Sequence, residues 1–167
     1  MKTAIVYFSL SGNTRLAAQE LAKRLDADLI ELTPEKAYPT GGLSKFLHGG
    51  KGALAGECPA LKPYAFDAAQ YDRVILGSPV WAGTVAPPLR TFVRDCGAAL
   101  EGKTLAFYLC CSGGGGKAPE KFRELLGIDA PAAQMILRDP AKGPEGELQK
   151  AVTSFCESLN RQTEGEQ

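Results

Sequence analysis

Lys2-Thr3-Ala4-Ile5-Val6-Tyr7-Phe8 runs directly into Ser9-Leu10-Ser11-Gly12-Asn13-Thr14, and this junction decides the fold. The first stretch is almost continuously apolar, which is the pattern of a parallel strand covered on both faces. It breaks at hydroxyl, glycine and amide residues. Behind the break Ala17, Leu21 and Leu25 recur every four residues, the spacing of one helix face. Strand, polar turn and helix in that order open a β-α-β unit.

The same alternation continues along the chain. Ala27–Thr33, Arg73–Gly77 and Lys103–Cys110 read as buried strands, and Ala133–Arg138 as a shorter one with Met135, Ile136 and Leu137 as its core. Helical stripes lie at Val85, Leu89, Phe92/Val93 and Cys96 behind Pro87-Pro88, at Phe122, Leu125 and Leu126 after Pro119, and at Leu148, Val152, Phe155 and Leu159. This order predicts an α/β fold, a doubly wound five-stranded parallel sheet with right-handed crossovers and helices on both faces. One domain is expected over residues 1–160, with a polar, frayed C-terminal tail at 161–167. The segment Pro34–Phe66 breaks the rhythm. It holds Gly41-Gly42, Gly49-Gly50, Gly52 and Gly56, with short helical turns expected at Ser44–Leu47 and Ala53–Ala55. A functional connection and a displaced helix are both open readings for it.

Composition narrows the function. Nineteen basic residues balance nineteen acidic ones over 167 residues, so no basic field points to nucleic acid and no acidic field steers a basic partner. No apolar run approaches the ~20 residues of a membrane span, and the N-terminal apolar stretch is too short for a signal peptide. A cytoplasmic protein is expected. Five cysteines without Cys-x-x-Cys spacing argue against zinc and against a disulfide framework, and no metal site is expected. Cys110 and Cys111 fall at a strand end with their side chains on opposite faces. They read as small reduced residues or, alternatively, as a redox-sensitive thiol beside a ligand. His48 is the only histidine and reads as a surface or rim residue.

Ligands of open α/β sheets bind at the carboxyl ends of the strands, where the strand order reverses. Three strand ends here carry chemistry. Ser9, Leu10, Ser11, Gly12, Asn13 and Thr14 precede a helix and offer side-chain donors beside unpaired amides, a phosphate cradle or a plain helix cap. Pro79, Val80, Trp81, Ala82 and Gly83 place the only tryptophan on a loop, either as a wall for a flat ring or as a cap on the core. Ser112, Gly113 and Gly114 open a run of glycines that exposes bare backbone. Together the loops suit a planar ring with a phosphorylated tail. A Gly-x-Gly-x-x-Gly fingerprint, a phosphate-loop lysine, the aspartates of a receiver domain and the thiol of a cysteine phosphatase are all missing from these positions.

Ser9-x-Ser11-Gly12-Asn13-Thr14 resembles the phosphate signature of flavodoxins. Gly77-Ser78-Pro79-Val80-Trp81-Ala82-Gly83-Thr84, followed by Pro87-Pro88-Leu89-Arg90-Thr91-Phe92, is similar to the flavin loop of bacterial flavodoxin-like proteins. The resemblance implies strand order 2-1-3-4-5 and FMN at the switch point. Ser9 to Thr14 would then hold the phosphate, Pro79 to Gly83 line the isoalloxazine, and Ser112 to Gly114 bound its other edge. Two features depart from well-studied flavodoxins: the chain is neutral, and Cys111-Ser112-Gly113 stands where many have a tyrosine. The resemblance implies an electron carrier working with redox partner proteins. The alternative is an enzyme that takes hydride from NAD(P)H and reduces a quinone or similar small acceptor. No residue is assigned as catalytic.

Overall fold

Strand β1 (Thr3–Tyr7) lies at the centre of a sheet, with β2 (Asp28–Glu31) on one side and β3 (Arg73–Trp81) on the other. The computed structural model describes the backbone of residues 1–39 and 50–165. Between β1 and β2 runs α1 (Asn13–Leu25), and β3 is followed by β4 (Thr84–Val85) and α2 (Pro87–Cys96). Then come β5 (Thr104–Cys111), α3 (Ala118–Leu126), β6 (Gln134–Arg138) and α4 (Glu147–Gly165). Five strands pair in parallel in the order β2-β1-β3-β5-β6, which is the 2-1-3-4-5 winding once the short β4 is set aside. The order reverses between β1 and β3.

The sheet separates two apolar layers. Ala4, Val6, Val74, Leu76, Phe107 and Leu109 face α2 and α3 and meet Leu89, Phe92, Ala118 and Phe122. Ile5, Ile75 and Ala106 face α1 and α4 and meet Ala17, Leu21, Val152, Phe155 and Leu159. Burial on both sides explains why these strands read as unbroken apolar runs.

Several boundaries differ from the sequence reading. α1 starts at Asn13, so Asn13 and Thr14 are helical and Gly12, at φ 91°, is the N-cap. β3 extends through Pro79, Val80 and Trp81, because it folds back on Thr84–Val85 as a hairpin. Val85 is therefore a strand residue, and Pro87-Pro88 start the helix behind it. On the edge strand β6 only alternate residues are buried, and Ile136 is 46% exposed. α4 continues to Gly165, since nothing between Asn160 and Glu164 breaks a helix. In the long connection, residues 50–55 are helical and Pro34 bridges Leu61. Gly41-Gly42, Ser44–Leu47, His48 and Gly49 lie outside the described residues.

One row of register crosses the whole sheet: Glu31, Tyr7, Gly77, Tyr108 and Met135. Gly77 is a glycine because a β-carbon there would collide with the Tyr108 ring. Gly77→Ala is expected to lower stability by about 1–3 kcal/mol through overpacking, read from urea unfolding midpoints. An unchanged midpoint would mean that the ring has another place to go.

Candidate functional site

The first loop leaves β1 with Ser9 and enters α1 at Gly12. Left-handed backbone at Gly12 turns the chain into α1, whose first amides have no partner within the helix. Ser9 Oγ accepts from the Arg15 N–H at 3.2 Å and keeps its own proton for another acceptor. Asn13 Oδ1 accepts from the Ala141 N–H at 3.0 Å, which leaves its amide NH2 free to donate. Thr14 is buried, its hydroxyl against Cys110 and its carbonyl bound by the Tyr108 hydroxyl at 2.9 Å. It therefore offers a backbone amide rather than a side chain. Leu10 packs on the core, and Ser11 is exposed. The Arg15 guanidinium is drawn to Glu31, at 3.1 and 2.5 Å, so its charge is already met.

The second motif is a hairpin rather than an open loop. Trp81 pairs with Thr84 across a two-residue turn, with Ala82 at φ 49° and Gly83 at φ 71°. Two left-handed residues make the tight turn whose twist matches paired strands. Buried Ser78 anchors it, accepting from the Ala86 N–H at 2.9 Å and donating to the Pro79 carbonyl at 2.8 Å. The Trp81 ring stands edge-on to Phe8 and Tyr38, with centroids 5.5 and 4.9 Å away. This backing on the core was open in the sequence. Tyr38 keeps a buried hydroxyl without a partner, and burial, helped by Glu57, pushes its phenol up to about 12.

The third loop follows β5. Ser112 Oγ donates to Asp139 Oδ1 at 2.8 Å, and the Asp139 N–H donates to the Cys111 carbonyl at 2.9 Å. Gly113 and Gly114 are exposed, with open space where a β-carbon would stand.

The second and third motifs enclose a cavity of about 250 Å³. Val80, Trp81 and Ala82 line one side, Cys111, Ser112, Gly113 and Gly114 the other, and Gly50 reaches its rim. Pro79 lies below in β3, register partner of Cys110, and Gly83 forms the turn tip. Trp81 thus packs on the core and also lines the cavity. Sequence reasoning missed Gly50 and the Asp139–Ala141 turn, neither of which belongs to a recognisable local motif, while Cys111, one of the two cysteines open to a place beside a ligand, does line the cavity. A larger cavity of about 610 Å³ opens at the opposite end of the sheet, around Leu100, Lys103 and Ile128. There the Lys103 ammonium is already bonded to the Tyr71 carbonyl at 2.7 Å, and the strand order does not reverse.

The thiols at the site are muted. Burial pushes Cys110 up to about 12, and it raises Cys111 too, with Arg138 pulling the other way. All five cysteines are free, and among the described residues no group of His, Cys, Asp and Glu side chains could hold a metal.

The geometry converges with comparison to known proteins. The flavodoxin family model matches residues 2–136, and the chain belongs to that family. No curated protein matches it. Among solved structures, a flavoprotein from Lactobacillus acidophilus NCFM in complex with FMN is 24% identical, with 90% of this chain and 97% of that one covered and a TM-score of 0.68. A flavoprotein from Bacteroides uniformis ATCC 8492 is 22% identical, with 91% and 97% covered and a TM-score of 0.68. A flavodoxin from the domain Archaea is 18% identical, with 96% and 98% covered and a TM-score of 0.57. The family's cofactor is FMN, and the residues present fit it. A β-carbon at Gly12, Gly83, Gly113 or Gly114 would enter open space beside the first loop or the cavity, where the ligand can approach bare backbone.

Two outcomes are expected. Trp81→Ala should weaken FMN binding by about 1–3 kcal/mol in a fluorescence-quenching titration, by loss of burial and stacking. An unchanged affinity would leave Trp81 as core alone. The stability contributed by neutral Cys110 and Tyr38 is complete below their ordinary values of 9.0 and 10.0 and is lost as the pH rises to about 12. Urea midpoints measured from pH 8 to 11 should therefore fall, and the Cys110→Ala variant should fall less.

Proposed function

We propose that this flavodoxin is an electron carrier, taking and giving electrons through the edge of a bound FMN. The observation that carries this reading is the shape of the cavity. Its lip is formed by Ala82, Ser112, Gly113 and Gly114, all exposed, so a ring seated against Trp81 keeps one edge open to a partner.

FMN, when bound, supplies the redox chemistry, and the protein supplies position and charge. Ser9 and Asn13 have protons free to hold the phosphate, joined by the first amides of α1, whose partial positive charge favours an anion. Trp81, held at a fixed angle by Phe8 and Tyr38, orients the ring and excludes water from one face. The Ala82–Gly83 peptide lies at the turn tip, where its N–H or its carbonyl can meet the ring. Gly83 stands at positive φ already, so either orientation is open to it at little cost. The natural partners would be redox proteins that dock on the lip. The neutral charge of the chain predicts that such docking depends only weakly on salt.

A second reading is favoured by one specific feature. Gly50 brings the helical residues 50–55 to the cavity rim, where that segment could roof a small acceptor. The protein would then oxidise NAD(P)H and reduce a quinone-like compound. Stopped-flow mixing of the FMN-loaded protein with NADH and with NADPH separates the two. The carrier reading expects no bleaching of the flavin within seconds at millimolar nucleotide. Rapid, saturable bleaching would overturn it in favour of the reductase.

A further inference from the structure

The turn after β6 contains no residue that the sequence marks for a ligand, yet it holds two ligand loops at once. Its first residue, Asp139, has left-handed backbone at φ 38°. The Asp139 N–H donates to the Cys111 carbonyl at 2.9 Å, and its carboxylate accepts from the Ser112 hydroxyl at 2.8 Å, so the flavin-edge loop is fixed by both backbone and side chain. The Asp139 carbonyl accepts from the Lys142 and Gly143 amides at 2.8 and 3.1 Å, which closes the turn on itself. Two residues on, the Ala141 N–H donates to Asn13 Oδ1 at 3.0 Å and fixes the first side chain of α1 in the phosphate loop.

We infer that Asp139 is a positioning residue that couples the phosphate site to the ring site. The inference rests on the FMN reading of those two loops. Ordering either loop orders the turn, and the turn orders the other loop, so the entropy of fixing it is spent once rather than twice. A ligand that carries both phosphate and ring gains from this coupling. A ring without phosphate gains only what the preformed edge gives.

The residue type fits the role. A left-handed position suits Asp, Asn or Gly. Only Asp and Asn also present an oxygen to Ser112. The two functions can therefore be separated: Asp139→Gly keeps the backbone comfortable and removes the acceptor, and Asp139→Asn keeps both.

The test measures dissociation constants of FMN and of riboflavin for the wild type, Asp139→Gly and Asp139→Asn, with urea midpoints as a check on folding. In Asp139→Gly, riboflavin should bind about tenfold more weakly, the range of one lost charge-assisted hydrogen bond. The ratio of FMN to riboflavin affinity should also shrink several-fold, because the turn, no longer tied to Ser112 through the carboxylate, holds Ala141 against Asn13 less firmly. Asp139→Asn should restore both quantities. A merely structural aspartate would weaken the two flavins equally and leave the ratio unchanged, which overturns the coupling. A changed ratio with unaltered riboflavin affinity overturns it too, since the turn would then serve the phosphate alone. If the wild type already binds riboflavin as tightly as FMN, the phosphate reading of the first loop has failed, and the coupling falls with it.

Discussion

The hydroxyl of Tyr108 donates to the carbonyl oxygen of Thr14 at 2.9 Å, fully buried, and the site is assembled around that bond. Tyr108 belongs to β5 and Thr14 to the first turn of α1, so one side chain spans from the strand that leads into the glycine loop to the start of the helix behind Ser9–Gly12. Its ring can make the crossing only because Gly77, its register partner on β3, has no side chain in the way. On the far side of Gly77 the same row continues through Tyr7 to Glu31. Tyr7 donates to that carboxylate at 3.2 Å, and the carboxylate in turn holds Arg15. A buried hydroxyl without an acceptor would be costly, so this row fixes α1 against the sheet as well as tolerating it there.

From this platform the three loops differ in how they are made rigid. The first is held from below by Tyr108 and from the side by Ala141. The hairpin is held by buried Ser78, and its aromatic wall by Phe8 and Tyr38. The glycine loop is held by Asp139. Each support lies outside the surface that meets the ligand, which leaves the amides of the first turn, the Asn13 NH2 group and the bare backbone of Gly113 and Gly114 free for recognition. Burial raises both Cys110 and Cys111 and so favours their neutral thiols at the end of β5.

The fold was legible because parallel strands buried on both faces cannot hide: Ile5, Val6, Val74, Ile75 and Leu76 are apolar on consecutive positions, and the helices between them show one stripe each. The winding order followed from the resemblance and from the chirality of crossovers. The loops proposed to hold the ligand stood out as glycine and hydroxyl clusters at strand ends. What escaped was long-range. Asp139 lies 27 residues from Ser112, and Asn13 lies 128 from Ala141, so no local pattern ties them together. The extension of β3 to Trp81 was hidden by Pro79, which reads as a strand breaker. The proline is tolerated because Ser78, beside it, takes over the bonding of the hairpin. The outward turn of Ile136 was hidden as well, since three consecutive apolar residues do not reveal which face an edge strand leaves bare.

A crystal structure of the protein grown with FMN tests the central claim most directly, because it locates phosphate and ring independently. Phosphate oxygens should lie about 2.7–3.2 Å from Ser9 Oγ, from the Asn13 side-chain nitrogen and from the first amides of α1, with the ring between Trp81–Ala82 and Ser112–Gly114. A phosphate bound elsewhere, or a ring seated away from those two walls, would contradict it.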